Sequence, residues 1–110
     1  VILKLCGSED LPPVGELKSF RGGDFDICIT RLHGGKGELV AFDNRCPHQN
    51  APLSAGHMEG CRVVCPYHAW SWDVTTGTSD NPADPALHCY EVRRYGDEVF
   101  IRLPGAAIAS

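Results

Sequence analysis

Two short cassettes carry the residues in this chain best suited to chemistry. They are Cys46-Pro47-His48 and, after sixteen intervening residues, Cys65-Pro66-Tyr67-His68. Each offers one thiol and one imidazole, and each has a proline directly after its cysteine. Thiolate and neutral imidazole are both ligands of transition metals. Zinc accepts two of each, but zinc fingers of that composition usually keep both cysteines in one knuckle and both histidines in a helix. Here both cassettes are mixed. A mixed pair fits two irons better, with both thiolates on one metal and both imidazoles on the other, which is the asymmetric [2Fe–2S] ligand set. A zinc-held binding module remains a rival reading, and the colour of the purified protein separates the two.

Such cassettes need loops held open by firm elements, and the chain supplies strands. Period-two alternation recurs, whereas helical periodicity does not. Residues 1–6 read as a first strand. Phe25, Ile27 and Ile29 alternate with Asp26, Cys28 and Thr30, which predicts a strand with one wet face. Residues 38–42 and 61–65 are short strand-like runs, and residues 89–95 and 98–103 flank a hairpin turn at Gly96-Asp97. Twelve glycines and eight prolines punctuate the rest. The expected fold is an antiparallel all-β sandwich or barrel. Residues 43–60 and 73–88 are too long for hairpin turns; the first holds a cassette and the second holds Asp80-Asn81-Pro82-Ala83-Asp84-Pro85. The tail after Leu103 is expected to be loose.

A length of 110 residues suits one domain, residues 1–110, with a core large enough to stand without disulfides. No apolar run is long enough to cross a bilayer as a helix. The apolar start is too short for a signal-peptide core and is interrupted by Lys4. A net charge of −4 argues against nucleic acid as a partner, since phosphate binding needs a basic face. Six cysteines could suggest a disulfide scaffold, yet Cys6, Cys28, Cys61 and Cys89 lie in apolar or alternating runs and read as small buried hydrophobes. A reducing, cytoplasmic compartment with no structural disulfide is expected.

The two cassettes and their flanks resemble the Rieske iron–sulfur family. The likeness extends to Leu53 and Gly56 after the first cassette, Trp70, Asp73 and Gly77 after the second, then Pro82, Pro85, Leu87, Tyr90 and Val92. It covers residues 14–103. The resemblance implies a Rieske fold, an antiparallel β-sandwich base with a smaller cluster-binding lobe over residues 43–77. It also implies a [2Fe–2S] cluster held by Cys46 and Cys65 on one iron and His48 and His68 on the other. Rieske proteins of respiratory complexes add a disulfide between the cluster loops, but Ala51 and Tyr67 stand at those places here. They also carry a serine and a tyrosine whose hydroxyls raise the potential, where this chain has Trp70 and Trp72. A low potential is expected, with Ser71 pointing elsewhere by alternation. Ala69 replaces the family's usual glycine.

With no catalytic residues of its own implied, the chain is similar to Rieske-type ferredoxins. These carry one electron from an NAD(P)H-dependent flavoprotein reductase to a terminal oxygenase, here expected to be ring-hydroxylating. A small subunit of an assimilatory nitrite reductase and a redox-sensing Rieske module are the alternatives. Pro47, Leu53, Pro66, Trp70, Pro82 and Pro85 are expected to ring the imidazole edge as an apolar docking face, with Asp80 and Asp84 steering a basic partner. Packing against the cluster loops is the alternative for each of these residues, and for Trp70 it is at least as good a reading. His33 reads as a solvated turn residue, His57 as a loop residue and His88 as a strand-edge residue.

Overall fold

The computed structural model describes residues 2–22, 25–32, 38–47, 51–66, 70–79 and 85–103. In chain order its strands are β1 Ile2–Gly7, β2 Leu17–Gly22, β3 Phe25–Arg31, β4 Leu39–Asp43, β5 His57–Glu59, β6 Arg62–Val64, β7 Ser71–Asp73, β8 Cys89–Tyr95 and β9 Glu98–Arg102. Two 3-10 turns, Ser8–Asp10 and Leu53–Ala55, lie between them. Among the described residues no helix is long and apolar enough to cross a membrane.

Six strands form one sheet in the order β1-β9-β8-β4-β3-β2, and three form a second in the order β5-β6-β7. Every strand pair is antiparallel, as the alternation and the turn residues predicted. The hairpin at Gly96-Asp97 closes on a Tyr95–Glu98 pair. A register shift between Lys4 and Cys6 bends β1 along β9.

β3 departs from expectation. Its even-numbered positions are not a wet face, because Cys28 and Thr30 are as fully buried as Ile27 and Ile29. The physical reason is a second core. Ile27, Ile29 and Ala41 face one apolar cluster with Val99 and Ile101. Cys28 and Phe42 face the other, which also holds Cys46, Leu53, Cys65 and Trp72. Thr30 tolerates burial because its hydroxyl donates to the Glu16 carbonyl at 2.7 Å. β3 and β4 are thus covered on both sides, and each large side chain buried there contributes about 1.5–3 kcal/mol.

The cysteines outside the cassettes divide. Cys6 and Cys28 are buried as expected, and Cys89 is half-buried with its thiol donating to the Val74 carbonyl at 3.5 Å. Cys61 is exposed, contrary to expectation, because it sits on the tight turn between β5 and β6 rather than within a strand.

Candidate metal centre

The first cassette leaves the base sheet at the end of β4. Asn44 turns the chain inward, and Cys46 follows with no exposed surface. The Cys46 amide donates to the Ala51 carbonyl at 2.8 Å, closing the loop five residues on. Leu53 then drops into the core, fully buried, and its carbonyl accepts from Gly56 at 2.9 Å. Gly56 is required by space: a Cβ there would lie 1.9 Å from the Val64 carbonyl oxygen, so the first loop rests on the strand that carries the second cassette.

The second cassette sits on a hairpin stem. β6 and β7 pair Val64 with Ser71, and Cys65 leaves the top of the stem, buried. The Cys65 amide donates to the Trp70 carbonyl at 2.7 Å, again five residues on. The two loops are therefore closed by the same backbone clasp, each beginning at a buried cysteine followed by proline. Both cysteines belong to one apolar cluster, and none of the six cysteines is in a disulfide.

A third segment is tied to these loops from below. The Trp72 indole N–H donates to the Pro85 carbonyl at 3.2 Å, and the Leu87 amide donates to Gly77 at 2.8 Å. Gly77 has φ +81°, and a Cβ there would meet the Leu87 carbonyl at 2.4 Å, so glycine is demanded twice over. The turn before it is held by Asp73, whose carboxylate accepts from the Thr75 hydroxyl and amide. Those hydrogen bonds hold the Asp73 carboxyl below its ordinary range.

Of the four predicted ligands, the structure brings Cys46 and Cys65 into one buried cluster; His48 and His68 lie outside the described residues. Tyr67, Ala69, His33, Asp80, Pro82 and Asp84 also lie outside them. Ser71 points away as alternation predicted, its hydroxyl accepting from Arg62 Nε at 3.0 Å. Trp72 is fully buried, and Trp70 is half-buried against the same core. The docking-face expectation needs one correction. Leu53 has no exposed surface and packs inward, whereas Pro66 and Pro85 are exposed and Pro47 is half-buried. His57 lies in β5, exposed, 2.7 Å from Glu59, and His88 is exposed with its ring 4.6 Å from that of Tyr90.

Burial separates three of the remaining cysteines from reactive ones. It pushes the Cys28 thiol up to about 12 and raises Cys6 and Cys89. These are inert packing residues. Sequence reading missed Asn44, which is buried and hydrogen-bonded on both sides of its amide. Its signal was faint: a polar residue between a strand end and a buried cysteine.

A model of the Rieske [2Fe–2S] domain matches residues 1–91. The chain is 33% identical over 105 residues to the ferredoxin component of biphenyl 2,3-dioxygenase from Rhodococcus jostii, covering 94% of each. A ferredoxin of Sphingomonas yanoikuyae B1 superposes with a TM-score of 0.81 at 27% identity, covering 94% of this chain and all of that one. A ferredoxin–oxygenase complex of carbazole 1,9a-dioxygenase matches with a TM-score of 0.76 at 28% identity, covering 91% of this chain and 100% of that one. Two longer relatives match over only 15% and 17% of their own lengths.

Proposed function

This chain belongs to the Rieske [2Fe–2S] domain family, and on that premise we propose that it is the ferredoxin component of a ring-hydroxylating dioxygenase system. It receives one electron from an NAD(P)H-dependent flavoprotein reductase and passes it to a terminal oxygenase. Residues 1–110 act as one domain in the cytoplasm, with residues 43–77 as the metal-bearing lobe.

Cys46 and Cys65 would hold one iron of the cluster, and His48 and His68 the other. The observation that carries this reading is the matched pair of buried thiols, each at the start of a loop closed by the same clasp. Soft thiolate donors with two imidazoles suit the asymmetric two-iron centre. When bound, the cluster takes up and gives back a single electron. The protein's own part is to hold and to shield. Leu53, Val63 and Trp72 keep water from the inner side of the thiols, since all three are fully buried beside them. Pro47 and Pro66 lack an N–H and restrict the loops just after the thiols. Exposed Pro66 and Pro85, with half-buried Pro47 and Trp70, supply apolar surface beside the loops for a partner to cover.

The likeness to dioxygenase ferredoxins over 94% of both chains supports the carrier role, and the ferredoxin–oxygenase complex supports the kind of partner. The test has two parts. Purified anaerobically, the protein is expected to contain iron and acid-labile sulfide, and His48→Ala or His68→Ala abolishes the two-iron absorption. With NADH, a reductase and an oxygenase, it cycles over many turnovers. A colourless protein holding zinc, or a normal spectrum in the histidine variants, overturns the reading.

A further inference from the structure

The two cassettes are closed alike but supported differently. Below the Cys65–Trp70 clasp lies a strand pair, Val64 with Ser71, that holds the loop's two ends together. Among the described residues no such stem lies below the Cys46–Ala51 clasp. The chain leaves β4, whose partners are β3 and β8, and continues into a 3-10 turn rather than a strand paired with β4.

Asn44 occupies the place of the absent stem. Its Oδ1 accepts from the Ser54 amide at 2.7 Å, joining the two ends of the first loop. Its Nδ2 donates to Asp26 Oδ2 at 3.3 Å, and its backbone amide donates to the Asp26 carbonyl at 2.9 Å. The orientation of the carboxamide is fixed by chemistry. A backbone N–H can only donate, so the oxygen must face Ser54 and the amino group must face the carboxylate. The side chain is only 5% exposed, where a lost partner is costly. The 44–54 bond encloses the 46–51 clasp, with Cys46 inside both.

We propose that Asn44 is the positioning residue of the first cassette: a side-chain amide that stands in for a strand stem, locks Cys46 against β3 and so sets the properties of the metal centre. This rests on the reading that Cys46 is a ligand.

The test exploits the one-way pattern of donors and acceptors. Asn44→Asp keeps the size and the acceptor for Ser54 but sets two carboxylates face to face. The exchange Asp26→Asn with Asn44→Asp restores a donor opposite an acceptor, at the wild-type net charge. Iron release to a chelator, the reduction midpoint and the visible circular dichroism are measured on the holoprotein. Asn44→Asp is expected to release iron about tenfold faster, the consequence of losing one buried hydrogen bond. Its midpoint and dichroism shift as well. The exchanged pair returns all three readouts to within about twofold or to the wild-type signature. Should Asn44→Asp fail to fold, recovery of folding and of the wild-type signature by the exchange supports the proposal equally. Wild-type values in Asn44→Asp, or an exchange no better than the single variant, overturn it. Failure of the underlying reading looks different, because Cys46→Ala would then keep the two-iron spectrum.

Discussion

The indole N–H of Trp72 meets the carbonyl oxygen of Pro85 across 3.2 Å, joining the hairpin stem of the second cassette to the segment that follows it. Trp72 is fully buried and its ring fills the core beneath both cysteines, while the bond itself is part-buried because Pro85 is exposed. Trp72→Phe removes the donor and part of the ring while keeping an aromatic. The expected loss is roughly 2–3 kcal/mol, from the lost hydrogen bond and the space left behind. Urea unfolding of the holoprotein measures it, and a loss under about 0.5 kcal/mol, the range of ordinary surface changes, contradicts this account.

The same bond bears on the redox potential. Trp70 and Trp72 stand where respiratory Rieske proteins carry hydroxyl donors, and the Trp72 N–H is given to Pro85. The midpoint is expected in the lower part of the roughly −150 to +300 mV Rieske range. A redox titration placing it near the upper limit would mean that other donors dominate.

Leu53 and Pro66 should behave oppositely. Leu53→Ala opens a cavity in the cluster that contains both cysteines and is expected to cost about 2–5 kcal/mol, with faster iron loss. Pro66→Ala alters exposed surface and releases one loop restraint, so it should cost no more than about 1 kcal/mol. Electron transfer to the oxygenase is expected to slow in Pro66→Ala, as seen by stopped-flow, because that proline lies on the proposed contact surface.

Alkaline pH should weaken the fold. Burial pushes the Cys28 thiol from 9.0 up to about 12, and burial also pushes the Tyr90 hydroxyl from 10.0 up to about 12. In each case the folded chain holds its proton more tightly than the unfolded one. The stabilisation is complete below the unfolded values and is lost as pH climbs toward 12. Each proton released only on unfolding lowers stability by about 1.4 kcal/mol per pH unit. Urea midpoints from pH 8 to 11 are expected to fall, and Cys28→Ala should flatten the slope above pH 9. An equal slope in that variant would remove Cys28 from the account.

Much of this was legible in the sequence. The cassettes announced themselves by residue type and spacing, and Cys46 and Cys65 are buried together. The β8–β9 hairpin followed from its turn residues and flanking alternation. Other features were hidden for identifiable reasons. β2 contains Lys18 and Ser19 side by side, both exposed, so alternation is broken at an edge strand. β5 and β7 are three residues each, too short for any period, and both lie in or beside segments that read as loops. Asp26 and Thr30 looked like a wet face because periodicity reports polarity, whereas burial depends on what packs opposite. Leu53 was placed on an apolar docking face with packing against the loops as the alternative, and it takes the alternative. Asn44 left only a faint signal, since its side-chain partners lie ten and eighteen residues away.

The wall formed by β3 and β4 has an outcome of its own. Because the same two strands close off the base on one side and back the apolar cluster that holds both cysteines on the other, neither half can loosen without exposing the back of its neighbour. Damage to the metal end should therefore be felt as softening throughout the molecule.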